Sequence, residues 1–246
     1  MTRIRTEAII RPFKSGDRAA VRDIAYRTAF RSRGESLFPG LSEPLADFLT
    51  LYYTDWEPGS VWVLEKQGRV TGYLLGCADT PRYIRLMSRR IIPRILCTIP
   101  LYLLRSGTND TTRRVIKWFL LHSWREIPSV PVRKFPAHLH FNLLPGSYGL
   151  MYASRLLLAF LERLNELGVP TVHFAITERK NGGAYKGMVD RYVGRHPDTK
   201  VYFSEKPSSL NRVVFGNRDI MVNRIWGGSV KDLTAGVRLM TSLFRL

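Results

Sequence analysis

The sequence predicts an α/β fold in which a mixed central β-sheet is flanked by helices. Residues 140 to 176, "HFNLLPGSYGLMYASRLLLAFLERLNELGVPTVHFAI", pass from alternating apolar residues through Pro-Gly-Ser-Tyr-Gly into an amphipathic run and back to alternation. That is the pattern of strand, tight loop, helix, strand, and a crossover of this size joins parallel strands. Upstream, "SVWVLEKQGRVTGYLLGCAD" reads as an antiparallel hairpin turning at Gln67-Gly68, so the sheet must contain both orientations. With 45% hydrophobic and 24% charged residues over 246 positions, the chain has a globular composition and the length to bury a large core in a single domain.

The elements follow in order. Ala8 to Arg11 forms a short strand, Lys14-Ser15-Gly16 a turn, and a helix capped by Ser15 or Asp17 comes next. Val21, Ile24, Ala25 and Ala29 supply its inward stripe. A second helix, "LADFLTLYYTDWE", stops at Pro58-Gly59. The hairpin then gives strands at Val61 to Glu65 and Val70 to Ala78. Residues 80 to 135 mix bulky apolar residues with regularly spaced arginines, as in "RYIRLMSRRIIPRILCTIPLYLLRS" and "TRRVIKWFLLHSWREI", and read as a helical, basic insertion between the third and fourth strands. Its longest uncharged run, Ile95 to Leu104, falls well short of the roughly 20 residues needed to cross a bilayer. Beyond Pro136, "AHLHFNLL" and "TVHFAIT" are strands flanking a helix from Tyr148 to Leu167 that ends at Gly168. A short helix (Gly183 to Tyr192), strands at Lys200 to Ser204 and Arg218 to Asn223, and a helix from Lys231 to Leu243 complete the chain, which carries no internal repeat.

The formal charge is +18, from 38 Lys and Arg against 20 Asp and Glu. Such a field attracts anions: a polyanionic cofactor, lipid headgroups or nucleic acid. Nucleic acid ranks lowest, because no helix-turn-helix, zinc-finger or single-strand-binding signature accompanies the charge. Cys77 and Cys97 sit in apolar surroundings without metal-ligand spacing and read as buried free thiols, which fits a reducing cytosol, and no metal site is expected. The first residues, "MTRIRTEAIIRPF", lack a secretory signal. These features suggest a cytoplasmic protein, with peripheral attachment to a membrane a second expectation. Arginines flanking apolar, aromatic-containing faces in 80 to 135 suit an anionic membrane surface or closure over an acyl chain; the plainer reading is that these helices pack on the core and leave their arginines in water.

A loop entering a helix exposes unpaired N–H groups at the positive end of the helix dipole, where phosphate oxygens bind. Gly146, Gly149 and Ala153 would let a ligand approach that backbone; glycines that only make a tight turn are the plainer account. The order β-α-α-β-β, followed by "HLHFNLLPGSYGLMYASRLLLAFLERLNELGV", a strand and "NGGAYKGMVDRY", resembles the GNAT superfamily of acyl-CoA-dependent N-acyltransferases over about residues 8 to 79 and 136 to 223. "IIRPFKSGD" is similar to that family's opening strand and turn, and "GRVTGYLLG" to its third strand. The basic insertion before "PAHLHFNLLP" is similar to bacterial acetyltransferases related to the acetyltransferase-like domain of O-GlcNAc hydrolases. The resemblance implies acetyl-CoA or another acyl-CoA as cofactor, held along Leu143 and Leu144 and by a Gln/Arg-x-x-Gly-x-Gly/Ala loop that maps onto Tyr148, Gly149, Leu150, Met151, Tyr152 and Ala153. Only Ala153 matches, and Met151 stands where the family has its central glycine; Ser154 follows with a hydroxyl. Of the family's Asn-x-x-Ala-x-x-x-Tyr pattern, Asn181 and Ala184 match, so the resemblance places Asn181 on the cofactor arm. Met188 replaces the tyrosine that protonates the departing thiolate, which leaves Tyr185 and Tyr192, one turn to either side, as candidate acids.

Amine acylation also needs a base. The candidates at the strand ends are Glu178, His138, His140 and His173. Alternation puts His138, His140 and Asn142 on one strand face, opposite Leu139, Phe141 and Leu143. Histidines inside a sheet are more often hydrogen-bonded structural groups, and Glu178 also reads as a solvated loop charge. The expected activity is transfer of an acyl group from coenzyme A to an unidentified amine. Two rivals of other classes stay open: a degenerate, noncatalytic GNAT-like binding module, and a membrane- or nucleic-acid-associated interaction protein working through its basic insertion.

Overall fold

The computed structural model describes residues 8–32, 38, 41–105, 109–147, 149–181, 183–216 and 220–243. A seven-stranded mixed sheet runs through them in the order β1-β2-β3-β4-β5-β7-β6. Its strands are β1 (Ile9–Pro12), β2 (Val61–Lys66), β3 (Arg69–Cys77), β4 (Ala137–Leu143), β5 (Thr171–Arg179), β6 (Tyr202–Ser208) and β7 (Met221–Ser229). The pair β4 and β5 is parallel, and every other neighbouring pair is antiparallel. The expected mixed α/β architecture is therefore present. Gln67 and Gly68, with φ of 52° and 71°, make the β2–β3 turn in the doubly left-handed form that matches strand twist.

On one face lie α1 (Arg18–Ser32), α2 (Ser42–Trp56), α3 (Thr80–Leu86) and α4 (Ile92–Arg105). A π turn, Met87–Ile91, links the last two. Val21, Ile24, Tyr52, Tyr53, Ile91 and Ile95 from this layer close on Val63, Tyr73, Leu75 and Cys77 of the sheet. On the other face α6 (Leu150–Glu166) and α9 (Val230–Leu243) bury Leu156, Phe160, Leu161, Leu164 and Val237 against Leu74, Ala137, Leu139 and Leu143. Burial of that apolar stripe stabilises α6 in the position where it leaves its first turn beside the end of β4.

The helix α5 (Asp110–Glu126) lies on the first face and reaches from α2 to the far end of the sheet. Phe119 meets Phe48 edge to face at 6.4 Å. At the other end Glu126 binds both the N–H and the hydroxyl of Ser209, at the start of α8 (Leu210–Phe215), and its carbonyl accepts from Asn223 Nδ2 at 3.0 Å. Among the described residues no helix is long and apolar enough to cross a membrane.

The main departure from the sequence-based expectation is at β7, which starts later and runs six residues past Asn223 to Ser229. Its Arg224-Ile225-Trp226-Gly227-Gly228 run lacks alternation because β7 is a central strand, buried on both faces. Gly227 is required there, since a Cβ would sit 2.9 Å from the ring of Phe135. The short α8 was not expected at all.

Arg224 is 1% exposed and organises this end of the sheet. Its Nη1 donates to Glu178 Oε1 at 2.7 Å, Nε to Glu205 Oε2 at 2.6 Å and Nη2 to the Lys180 carbonyl at 2.8 Å. Three consecutive sheet members, β5, β7 and β6, are thereby tied by one guanidinium. The helix α7 (Ala184–Arg195) closes over the cluster: Lys186 N–H donates to Glu178 Oε1 at 3.3 Å. Gly183 allows the close approach, because a Cβ there would fall 2.2 Å from the Glu178 carboxylate. Arg224→Leu would leave a buried carboxylate without its cation, and should cost about 3–5 kcal/mol. Urea denaturation followed by circular dichroism checks this, the expected outcome being a lower midpoint with an unchanged slope.

Candidate active site

The strands β4 and β5 pair at Ala137↔Val172, His138↔His173 and Leu139↔Phe174, and then part. Beyond that point β4 stays on β3 through His140, Phe141, Asn142 and Leu143, while β5 stays on β7 through Arg179. The result is a V-shaped cleft in the middle of the sheet. The N–H of Leu144 donates to the Thr71 carbonyl on the β3 side at 2.8 Å. Strand alternation then turns the backbone groups of Phe141 and Leu143 to the open side. An extended ligand carrying amide groups can pair with that edge.

The histidines sit at the fork. His138 and His173 have ring centroids 5.6 Å apart. His138 has both nitrogens engaged, Nε2 with Tyr53 Oη at 2.9 Å and Nδ1 with Thr80 Oγ1 at 2.8 Å, and Tyr83 of α3 packs edge to face on it at 4.7 Å. Desolvation, reinforced by the neighbouring His173 and His140, pushes its pKa down to about 3. His173 is buried with Nδ1 3.0 Å from the Phe135 carbonyl, so that nitrogen carries its proton, and burial lowers its pKa too. His140 differs because its surface opens into the cleft. Asn142 Nδ2 faces its Nε2 at 3.0 Å and donates to the Tyr73 hydroxyl at 2.9 Å. The protein around the ring lowers its pKa to about 4, a shift that entry of water through the open cleft would reduce. All three histidines are therefore neutral at pH 7, and the exposed His140 has its Nδ1 without a partner among the described residues.

The loop after β4 turns at Gly146, whose φ is 84°, and Gly149 is the N-cap of α6. No side chain caps this end. Tyr152 and Ala153 N–H groups turn back to the Gly149 carbonyl at 3.1 and 3.2 Å, which leaves those of Leu150 and Met151 at the positive end of a 17-residue helix. Lys66 adds a full charge: its Nζ lies 4.4 Å over the Tyr152 ring and 3.3 Å from the Gly146 carbonyl. Met151 is exposed and Tyr152 and Ala153 are half-buried, so a diphosphate can approach. Ser154, in the same turn, is 5% exposed. Leu143 is buried against α6, and Leu144 is half-buried at the loop entrance.

The other expected residues are distributed differently. Tyr148 lies outside the described residues, as do the side chains of Leu150 and Tyr185. Asn181 is exposed between β5 and α7, at the open end of the cleft. Glu178 is buried and bound by Arg224 and the Lys186 N–H, which occupies the carboxylate that a base would need. Tyr192 stacks on His196 at 4.4 Å and donates to the Asp232 carbonyl at 3.3 Å; it packs α7 onto α9, away from the fork. Sequence reasoning missed Tyr53, Tyr83, Thr80 and Lys66. A pair of adjacent tyrosines in an apolar helix gives no spacing signal, and a lone threonine at Thr80 gives none either. Among the described residues no three His, Cys, Asp or Glu converge as metal ligands.

No family model matches the chain. Solved structures do. The crystal structure of SsHAT is 25% identical, with a TM-score of 0.57, covering 91% of this chain and 98% of that one. A Drosophila melanogaster polyamine N-acetyltransferase, an enzyme that forms N-acetylagmatine, is 13% identical, with a TM-score of 0.52 over 91% of this chain and all of that one.

The buried neutral histidines tie stability to pH. Between the folded value of about 3 for His138 and the ordinary value near 6.5, the unfolded chain binds the extra proton, so stability is full above about pH 6.5 and falls as pH drops toward 3. Each such histidine contributes a slope of up to about 1.4 kcal/mol per pH unit in that window. His138→Gln should flatten the dependence of the urea midpoint on pH between 6.5 and 4.

Proposed function

We propose that this chain, which has the GNAT acyltransferase fold, transfers an acetyl or related acyl group from coenzyme A to an amine. The observation that carries the reading is the open edge of β4 leading directly to an uncapped, 17-residue helix N-terminus with Lys66 beside it. That sequence of groups suits a ligand with an amide-bearing arm at one end and a diphosphate at the other. The amide arm would pair with Phe141 and Leu143, and the diphosphate would accept from the Leu150 and Met151 N–H groups. The thioester then falls at the fork beside His140.

In this reading the amine enters from the histidine face as its free base. Bond formation at the carbonyl carbon makes the nitrogen strongly acidic, so a weakly basic imidazole suffices to take its proton. With the Asn142 amide turned so that its oxygen accepts from Nε2–H, His140 Nδ1 holds the lone pair that does so. His138, with both nitrogens committed, and the buried His173, held through Nδ1, keep the fork rigid. Glu178 acts through Arg224 by fixing the segment that carries Asn181. The thiolate leaves toward the same end of the cleft. Because coenzyme A thioesters are cytoplasmic metabolites, that compartment suits the reading. The resemblance to bacterial relatives of the O-GlcNAc hydrolase domain adds nothing about the acceptor.

Calorimetric titration with acetyl-CoA, together with amine-dependent release of free coenzyme A, tests the proposal. The wild type should bind. Ala153→Asp should weaken binding about ten-fold or more by setting a carboxylate against the diphosphate. Met151→Gly should tighten it, since a Cβ narrows the approach to the backbone. His140→Ala should keep the affinity and lower kcat roughly 100-fold. Absence of binding at millimolar acetyl-CoA in a folded protein would leave the noncatalytic module as the better account.

A further inference from the structure

Helix α4 is apolar on two sides. Ile95 and Ile99 face inward and pack on the core. On the opposite side Pro93, Leu96, Cys97, Pro100, Leu101 and Leu104 are exposed, and Leu104 reaches 86% exposure. At helical spacing these residues form one continuous outer face. A run of exposed leucines on a helix is not an ordinary solvated surface.

Charge says what covers it. Residues 80–135 hold twelve Lys and Arg against two Asp and Glu, which is more than half of the chain's net charge. Arg89, Arg90 and Arg94 are exposed at the N-terminal end of the apolar face, and none of the three makes an ion pair among the described residues. By contrast Arg11 is paired with Asp17 and Glu65, Arg18 with Asp55, and Arg22 with Glu43 and Asp47. Three exposed arginines without an ion pair among the described residues thus stand beside the exposed leucines.

We propose that the outer face of α4, with Arg89, Arg90 and Arg94, docks on an anionic lipid bilayer. At 14 residues the helix is too short to span a membrane and suits a position in the plane of the interface. Leu96, Leu101 and Leu104 enter the acyl region, while the arginines extend to headgroup phosphates. The adjoining α3 places Tyr83 on His138, so docking brings the histidine face of the cleft near the membrane surface. The inference rests on α4 and the π turn before it, and stands whether or not the cleft transfers acyl groups.

Cys97 permits a direct test: against the expectation of two buried thiols, it is exposed on the outer face of α4, and the chain's other cysteine, Cys77, is buried. The intact protein, labelled at Cys97 with a polarity-sensitive fluorophore, is mixed with phosphatidylcholine vesicles with or without phosphatidylglycerol. Flotation of the unlabelled protein is measured alongside. Flotation and a blue shift are expected only with phosphatidylglycerol, and both should weaken as salt is raised. Arg89→Gln/Arg90→Gln/Arg94→Gln should lower partitioning roughly 100-fold. Leu96→Gln/Leu101→Gln/Leu104→Gln changes exposed positions only and should abolish the blue shift with circular dichroism unchanged. Equal binding to neutral vesicles, or full binding by both variants, overturns the proposal. So does a dimer in lipid-free solution that the leucine variant dissociates, which would make the occupant a second copy of this chain, or binding to nucleic acid with none to vesicles.

Discussion

β4 and β5 share three residue pairs and then separate, each held by its other neighbour, β4 by six pairs to β3 and β5 by nine to β7. A sheet opened in its middle exposes strand edges that a closed sheet would satisfy. The cost is sustained because both arms are pinned. On one arm, α6 buries Leu156, Phe160, Leu161 and Leu164 beneath β3 and β4. On the other, Arg224 ties β5, β7 and β6 together and draws the start of α7 onto Glu178. The cleft is a consequence of those two anchors, and every proposed contact with a ligand depends on their keeping the arms apart.

The fork itself is held by groups that stay neutral. A charged residue between two packed strands would need a buried partner, whereas a neutral imidazole with both nitrogens bonded, as in His138 between Tyr53 and Thr80, fills the place without one. Positive charge is instead concentrated where an anion would bind, at the α6 N-terminus and Lys66. This arrangement, a neutral fork and a positive helix end, suits the proposed substrate, whose charge lies far from its reactive carbonyl.

Periodicity made most of the sheet legible. The hairpin at Gln67-Gly68, the strand–helix–strand unit and the shared face of His138, His140 and Asn142 follow from alternation alone, and the structure has all three. The end of the chain was less legible, because β7 is buried on both faces and its two glycines hide the strand pattern. Glu178 shows the limit for site residues. Its place at a strand end marks it as a candidate base, but only the fold brings Arg224, 46 positions away, to within 2.7 Å of it. Tyr53 and Thr80 were invisible for the same reason: they meet His138 across separations of 85 and 58 residues. Tyr192 had helical spacing to recommend it, and packing against Gly236 and His196 took it elsewhere.

The central claim is that the open edge of β4 and the first turn of α6 form one binding surface for an acyl-CoA. Amide hydrogen exchange, read residue by residue with and without acetyl-CoA, tests it most directly, since the amides concerned have no partner among the described residues. The account predicts that Phe141 and Leu143 on β4, and Leu150 and Met151 on α6, gain protection together when the ligand is added. Protection confined to the basic segment 80–126, with the β4 and α6 amides exchanging as before, would contradict it.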